Sequence, residues 1–242
     1  RYAERRPIGN VDLIKTFEPQ RARDFYNEWY RPELMAVIAI GDFEKENIVS
    51  LIEEYFSSLT NPTQARPREV YSVPLASKDS VHFVTDTEET TTLLKVLFNH
   101  HKSKLFRTQG DFRDDLIVGM YIDLLNLRLS EIALQKDPPF AAAGIYNDQL
   151  TPKNTEYTLA FIPLKDDFEK GLQAILTEIE RVRQYGFLNS ELKRIKDNYL
   201  SYYQEIYDNR DDLDSTFFIG DFIDRFVSKE AITSIVFDYE LI

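Results

Sequence analysis

The sequence predicts an α+β fold, in which an antiparallel or mixed sheet carries helices packed on one side. The first observation is that apolar runs typical of strands cluster within residues 81–98 and 140–163. The second is that apolar residues at helical spacing dominate the part of the chain that follows. The third is a hydrophobic content of 43%, with 13% aromatic residues, which is enough for a sizeable core.

The first 59 residues predict two helices with a strand between them. Pro19 occupies the first turn of the earlier helix, and Arg31-Pro32 ends that helix. A continuous apolar run at 34–40 has the length and the β-branched content of a buried strand. Residues 44–59 predict the later helix, because their apolar side chains fall on one stripe.

Residues 60–80 predict an extended linker between two structural units. Pro62, Pro67 and Pro74 are scattered through this stretch, and its apolar residues show no periodicity. We therefore expect one unit in residues 1–59 and a larger one in residues 81–242.

The larger unit begins with strand signals and continues with helices. Apolar runs predict strands at 81–86, 91–98, 140–146 and 157–163. Helical spacing predicts long helices at 112–134, after a cap at Asp166-Asp167, and from Asn189-Ser190 onward. Gly186 is expected to close the second of these helices, and the aromatic-rich remainder is expected to be helical to about Val227.

The composition argues against several classes of partner and site. Lys and Arg total 29 against 41 Asp and Glu, and the resulting charge of −12 repels the phosphates of nucleic acids and anionic membranes. The chain has no cysteine, which excludes disulfides, thiolate zinc ligands and cysteine nucleophiles. No apolar run approaches the roughly 20 residues that span a bilayer. We expect no nucleic-acid partner and no membrane insertion.

The first residues predict that the chain starts inside a longer protein. It does not begin with Met, and the charged residues at its start precede no apolar core of a signal peptide. We expect any targeting signal to lie upstream of Arg1. With such a signal, a bacterial parent protein would reach the periplasm or the cell envelope.

The motifs assign no catalytic residue and no metal ligand. The histidines are His82, His100 and His101, and none has a Glu or His at a metal-binding helical spacing. His100 and His101 are expected to point to opposite faces of a strand end, so we interpret all three as surface residues. The sequence also lacks the G-x-S-x-G motif of serine nucleophiles and the glycine-rich motifs of phosphate-binding loops.

The acidic stretch at 208–214 does not fit a calcium loop. Such a loop needs an oxygen ligand, a glycine and a glutamate at the positions that Arg210, Leu213 and Ile219 occupy here. We therefore predict a solvated corner between two helices.

Two further groups of residues have structural explanations. Three acidic residues lie at the start of the long helix, where negative charge complements the helix dipole: Asp111, Asp114 and Asp115. Four aromatic residues near the end of the chain are expected to be core residues rather than the lining of a ligand pocket: Phe217, Phe218, Phe222 and Phe226.

Three groups of short motifs occur in order along the chain. They are Arg1-Tyr2-Ala3-Glu4-Arg5-x-Pro7-Ile8-Gly9, then Phe25-Tyr26-x-x-Trp29-Tyr30-Arg31-Pro32-x-x-Met35-Ala36-Val37 with Gly41-Asp42-Phe43, then Leu125-Asn126-x-Arg128-Leu129-x-Glu131-Ile132 through Pro139-Phe140. Each motif is weak by itself, but their order and intervals resemble those of the insulinase-like (pitrilysin-type) zinc metallopeptidases. The resemblance covers nearly the whole chain.

The resemblance implies a protein built from repeated α+β domains, the first of which carries an H-x-x-E-H zinc site. All of those zinc-site residues would precede Arg1, so no cofactor is expected in this chain and zinc is expected in the full-length parent. Residues 1–59 would be the C-terminal part of the catalytic-type domain. Residues 81–242 would be a second, non-metal domain that is incomplete at its C-terminus.

The resemblance also directs attention to a substrate contact that family members make in the second domain. Family members often offer an Arg and a Tyr there, seven positions apart, to the substrate or its tetrahedral intermediate. Aligned on Glu131-Ile132, the Arg position falls on Ala133 and the Tyr position on Phe140, so both polar groups are replaced. We therefore predict no substrate-binding residue with these roles.

The predicted function is that of a non-catalytic segment, forming part of the substrate chamber of a zinc-dependent metalloendopeptidase. Its partners would be the remainder of the parent polypeptide, with the zinc-binding domain, and a peptide substrate. The alternative is a binding or scaffold module from a catalytically inactive family relative. An H-x-x-E-H motif upstream of Arg1 would discriminate between the two.

Overall fold

The computed structural model describes residues 7–98, 101–102, 105–165 and 167–242. The helices in these residues are α1 (Val11–Thr16), α2 (Pro19–Trp29), α3 (Lys45–Phe56), α4 (Gln109–Ala133), α5 (Phe168–Tyr185), α6 (Asn189–Asp208), α7 (Ser215–Ser228) and α8 (Ile235–Leu241). The strands are β1 (Leu94–Leu97), β2 (His101–Lys102), β3 (Phe140–Thr151) and β4 (Asn154–Pro163).

The chain divides into two compact units. The first unit ends at Glu69 and also takes in Ser215–Phe222. The second comprises Val70–Asp214 and Ile223–Ile242. The boundary at Glu69 falls within the stretch 60–80, where the sequence predicts the linker.

The two longer helices at the start of the first unit are those that the sequence predicts. Helix α2 has Pro19 in its first turn and ends at Trp29, shortly before Pro32. Helix α3 lies within the predicted range 44–59. Helix α1 is an addition to the prediction, and Asn10 begins it by accepting a hydrogen bond from the backbone N–H of Asp12 at 2.9 Å.

The predicted strand at 34–40 is wrong for the chain as described. Pro32–Leu34 forms a turn of 3-10 helix, and the residues after it are extended but have no strand assignment. Val37 and Ile38 remain 48% and 38% exposed. A strand is completed by backbone groups of a neighbouring strand, and the described residues do not supply one here.

The sheet of the second unit is antiparallel and is centred on β4. Strand β3 pairs with one edge of β4, from Phe140 opposite Pro163 to Thr151 opposite Asn154. Strands β1 and β2 pair one after the other with the opposite edge of β4. The predicted α+β class is therefore confirmed, and the sheet is the antiparallel variant of that prediction.

The strand predictions for the second unit differ in quality. Strands β3 and β4 extend the predicted segments as far as Thr151 and Asn154, because the two segments form one hairpin. The predicted strand at 91–98 shortens to Leu94–Leu97. The predicted strand at 81–86 is wrong, since this stretch has no strand assignment and Phe83 is 91% exposed.

Helices α4 and α5 pack on the sheet and enclose its core. The buried apolar cluster draws on both helices and on both long strands: Leu125, Leu129, Phe140, Ile145, Leu159, Phe161, Ile175 and Val182. Gly171 lets α5 approach the sheet closely, because a Cβ atom there would lie 2.6 Å from the ring of Phe161. Larger side chains at such a contact would force the helix away from the strand.

The predicted ends of the helices in the second unit are largely those observed. Asp167 begins α5 by accepting a hydrogen bond from the backbone N–H of Lys170 at 3.0 Å, whereas Asp166 lies outside the described residues. Gly186 follows the last turn of α5 with φ of 69°, a conformation that favours glycine. Helix α6 starts at Asn189, and α7 reaches Ser228, close to the predicted end at Val227. Helix α8 is not predicted.

Candidate functional site

Ala133 and Phe140, which the resemblance predicts to replace the family's polar pair, both belong to the apolar interior of the second unit. Ala133 is the last residue of α4, and Phe140 is the first residue of β3. Phe140 is fully buried in the core cluster, and Ala133 packs against the same cluster. A methyl group and a phenyl ring have no hydrogen-bond donor, so neither can stabilise a developing oxyanion.

The described residues form no metal site. Within 7–98, 101–102, 105–165 and 167–242, no group of three or more His, Asp or Glu side chains converges as metal ligands would. His82 lies in the exposed extended stretch, with its Nε2 atom 3.1 Å from the hydroxyl of Ser80. His101 lies in β2, and His100 falls outside the described residues. The zinc implied by the resemblance therefore does not fit these residues, and no chemistry is assigned to it in this chain.

The acidic residues at the start of α4 serve the helix. Asp111 accepts a hydrogen bond from the backbone N–H of Thr108 at 2.9 Å, and the Thr108 hydroxyl accepts one from the N–H of Asp111. This reciprocal capping box satisfies two amides at the helix start. One turn further on, partial burial raises the pKa of the Asp115 carboxyl.

A polar contact joins α4 to α6 beyond Asp115. The Tyr199 hydroxyl donates a hydrogen bond to Asp123 Oδ2 at 2.8 Å. Burial, and then this hydrogen bond, raise the pKa of the Tyr199 phenol. Gly119 makes room for the hydroxyl, because a Cβ atom there would lie 2.8 Å from it. The sequence carries no signal for this contact, because Tyr199 and Asp123 are 76 positions apart.

A nearly buried polar cluster in the second unit surrounds Arg128 of α4. Its guanidinium donates two parallel hydrogen bonds to the Glu191 carboxylate, each at 2.8 Å, and a third to Glu178 Oε1 at 2.8 Å. The side chains of Arg128, Glu178 and Glu191 are only 13%, 5% and 14% exposed. The same guanidinium lies 5.0 Å from the ring centroid of Phe187. The ion pairs of Arg128 with Glu178 and Glu191 therefore connect α4 to α5 and α6.

Charge and burial together set the ionisation of this cluster. The hydrogen bond with Glu191 is the first cause of a raised pKa for Arg128. The hydrogen bond from Arg128 is likewise the first cause of a lowered pKa for the Glu191 carboxyl. Arg128 appears in the family-like motif of the sequence, but that motif carries no signal for either glutamate partner.

The side chain of Asn126 connects α4 to the outer edge of β3 by two hydrogen bonds. Its amide nitrogen donates to the carbonyl of Ile145 at 2.9 Å, and its amide oxygen accepts from the N–H of Ile145 at 2.7 Å. The side chain thus substitutes for a neighbouring strand at one residue of the edge. Its role is to dock the helix on the sheet.

The acidic corner and the aromatic group near the end of the chain behave differently from each other. At the corner, Asp211 is a solvated side chain, 87% exposed. The expectation of a core group is wrong for Phe217 and Phe226, which are 44% and 41% exposed. Phe218 and Phe222 are half-buried, with ring centroids 6.1 Å apart. Part of the aromatic surface of α7 is therefore not covered by other residues of the described chain.

The sequence matches one family model and several curated proteins. The model of the peptidase M16 inactive domain matches residues 16–199. A zinc protease PQQL-like protein of Arabidopsis thaliana is 27% identical over 242 residues, which are 100% of this chain and 22% of that protein. A probable zinc protease PqqL of Haemophilus influenzae is 26% identical over 193 residues, 79% of this chain and 21% of that protein. The chain thus spans about a fifth of the length of these curated relatives.

Solved structures share the fold of the chain. The first half of the periplasmic protease PqqL from Escherichia coli superposes with a TM-score of 0.86 at 21% identity, over 98% of this chain and 50% of that one. The ferredoxin protease FusC, in complex with Arabidopsis ferredoxin, superposes with a TM-score of 0.76 at 16% identity, over 100% of this chain and 28% of that one.

In the described part of the chain, every helix is too short or too polar to cross a membrane.

Proposed function

The chain belongs to the peptidase M16 inactive-domain family, and we propose that it forms a non-catalytic part of the substrate chamber of a larger zinc-dependent metalloendopeptidase. The matched residues include most of both structural units. Chamber walls of this kind shape and confine a substrate, while another part of the same polypeptide supplies the reacting groups.

The observation that carries the proposal is the burial of Phe140 in the core cluster. A residue that binds a substrate carbonyl has to expose a donor, and Phe140 offers only a ring with no solvent-accessible surface. Ala133 adds no polar group beside it. These positions therefore favour packing over a direct contact with the reacting carbonyl.

The division into units supports an assignment of the two parts of the chain. We assign residues 1–59 to the end of a catalytic-type domain, residues 60–80 to a linker and residues 81–242 to a second, non-metal domain. The exposed apolar stretch at 35–40 supports the first assignment, because it has the composition of a strand and no strand beside it among the described residues. Strands from the preceding part of the parent would cover it.

The proposed parent holds zinc in the polypeptide that precedes this segment, and hydrolyses peptides or processes proteins. The names of the curated relatives, which are zinc proteases, support this reading. The complex of the ferredoxin protease FusC with ferredoxin supports a protein as substrate. By analogy with the periplasmic protease of Escherichia coli, we propose the periplasm as the place of action.

The test compares the full-length parent with the 242-residue chain. Both proteins are purified, their zinc content is measured by metal analysis after dialysis, and hydrolysis of a quenched fluorescent peptide is followed with and without a chelator. We expect one zinc and chelator-sensitive hydrolysis for the parent, and neither for the chain. Three converging ligands are needed for a catalytic zinc, and the described residues do not supply them.

Two results would contradict the proposal. Stoichiometric, dialysis-resistant zinc in the chain alone would place a metal site in it. A parent that contains no H-x-x-E-H motif and hydrolyses nothing would instead make this chain part of an inactive scaffold protein.

A further inference from the structure

A cavity of about 360 Å³ lies within the second unit, where the start of α4 meets the end of α7 and α8. Its volume is within the range of roughly 300–1,000 Å³ that is usual for small-ligand sites. The apolar part of its lining consists of Phe106, Phe112, Ala231, Phe237 and Leu241. Phe106 and Phe112 meet edge to face, with ring centroids 5.8 Å apart. An aromatic group is the ligand part that such a lining packs best.

The charged groups of the cavity are Arg107, Arg225 and Asp238. Arg225 is held in place by donating a hydrogen bond to the carbonyl of Ala231 at 2.6 Å. Asp238 accepts a hydrogen bond from the hydroxyl of Thr233 at 3.0 Å. The guanidinium of Arg107 makes no hydrogen bond or ion pair with the part of the chain that the structure describes. Two cations and one anion therefore face the cavity in a chain whose net charge is −12.

The positive charge that can meet an anionic ligand in the cavity is the side chain of Arg107 rather than the N-terminus of α4. Two amides at the start of α4 already have acceptors, because Asp111 accepts from the N–H of Thr108 and the Thr108 hydroxyl accepts from the N–H of Asp111. A negatively charged ligand group would thus be met by Arg107, whose planar guanidinium matches a carboxylate.

We propose that this cavity binds a small aromatic carboxylate, with its ring among the phenylalanines and its carboxylate on Arg107. The proposal does not depend on the proposed peptidase role, because every residue that it uses lies in the second unit and away from Ala133 and Phe140. It adds a small-molecule site to a domain that family membership describes only as inactive.

The test is calorimetric titration of the 242-residue chain with phenylbutyrate, and with phenylbutyramide as its neutral analogue. We expect saturable binding of one phenylbutyrate, and affinity lower by about tenfold for the amide, because the charge-assisted hydrogen bonds are lost. Arg107→Gln should weaken phenylbutyrate by about tenfold as well. Arg113→Gln is the matched control, because Arg113 is an exposed residue of α4 that does not line the cavity.

Three results would overturn the proposal. One is the absence of saturable binding, and a second is equal affinity for the acid and the amide. The third is an equal effect of Arg107→Gln and Arg113→Gln, which would mean that the acid binds through general charge and exposed apolar surface. Circular dichroism shows whether both variants remain folded. A thermal-shift titration then repeats the comparison of their phenylbutyrate affinities under conditions in which both variants are folded.

Discussion

Phe140, at the start of β3, and Arg128, in α4, stabilise the second unit in two different ways. Phe140 is a core side chain with no exposed surface, so its contribution comes from removing apolar area from water. Arg128 is a nearly buried cation whose contribution depends on the two carboxylates that it contacts. Replacing either residue should therefore destabilise the fold, but only the second effect should depend on pH.

We predict that Phe140→Ala lowers the free energy of unfolding by about 3–5 kcal/mol, because it leaves a cavity in the core. Urea denaturation followed by circular dichroism measures this change. Phe83→Ala is the matched control, since Phe83 is 91% exposed and its loss should change stability by less than about 0.5 kcal/mol. In the full-length parent, peptide hydrolysis by Phe140→Ala should stay close to that of the wild type at temperatures where the protein is folded. A large fall in turnover with unchanged stability would mean that Phe140 touches the substrate.

We predict that Arg128→Met destabilises the second unit by about 3 kcal/mol, because Glu178 and Glu191 then lose a partner while remaining nearly buried. The measurement is again the urea midpoint and slope. Lys193→Met is the control, since the ion pair of Lys193 with Asp197 is on the surface and should contribute little. Equal stability of the two variants would show that Arg128 does not hold the helices together.

We predict a pH-dependent effect of Glu191→Gln. The folded-state pKa of Glu191 is lowered by Arg128, so its stabilising contribution is fully present above the unfolded-state pKa of about 4.3. The contribution is lost as the pH falls through the lower folded-state value. The difference in unfolding free energy between wild type and Glu191→Gln should therefore be constant from pH 7 to about 5 and shrink in more acidic solution. A difference that grows on acidification would contradict the ion pair.

At the scale of elements, close packing of α5 on β4 depends on a position without a side chain. Gly171 is buried in the first turn of α5, where a Cβ atom would meet the Phe161 ring at 2.6 Å and the Pro139 carbonyl at 3.4 Å. Phe161 is itself fully buried and cannot move aside into solvent. Glycine therefore sets the distance between the helix and the sheet.

We predict that Gly171→Ala destabilises the second unit by about 1–3 kcal/mol, although alanine is the better helix former. Gly110→Ala is the control in the first turn of α4, where the added Cβ atom would be an ordinary 3.6 Å from the Thr108 hydroxyl. That variant should be neutral or slightly stabilising. Thermal unfolding of the two variants decides the matter, and a stabilised Gly171→Ala would show that the helix can move away from the strand at no cost.

At the scale of the whole molecule, hydrogen bonds hold the chain on each side of the boundary at Glu69, and the residues that follow are exposed. In the first unit, the Arg31 guanidinium donates to the carbonyl of Arg66 at 2.6 Å. In the second unit, the N–H of Val73 donates to the side chain of Asn154 at 3.1 Å. Residues 74–93 are then exposed throughout. An exposed stretch without helix or strand therefore begins inside the predicted linker and continues beyond it.

We predict that trypsin first cleaves after Lys78, within the predicted linker 60–80, because this exposed stretch forms few contacts. Mass spectrometry of the early fragments should show residues 1–78 and 79–242. Lys78→Gln should delay the cleavage, whereas Lys45→Gln, in the first turn of α3, should not. A first cut within α3 would count against two separately folded units.

The longer helices were predictable in position and in most of their ends, whereas the short helices α1 and α8 were not. Pro19, Asp167 and Gly186 act at their own helix ends, so their effect can be inferred from neighbouring residues alone. The strands predicted at 34–40 and 81–86 are not formed in the described structure. Their apolar composition predicts burial, but pairing depends on another strand. The sequence shows that residues 133 and 140 are Ala and Phe, and so carry no hydrogen-bond donor in their side chains, whereas the burial of Phe140 is visible only in the structure.

The sequence by itself determined the α+β class, the longer helices, the absence of cysteine chemistry and the family resemblance. Only the tertiary structure decided which strands pair, which residues meet around Arg128, and where the cavity beside α4 and α8 lies. The physical reason is the distance along the chain over which each interaction acts. Helical hydrogen bonds and caps join residues within about four positions, whereas Arg128 reaches a glutamate 50 positions away and β1 finds its partner in β4 only once the chain has folded.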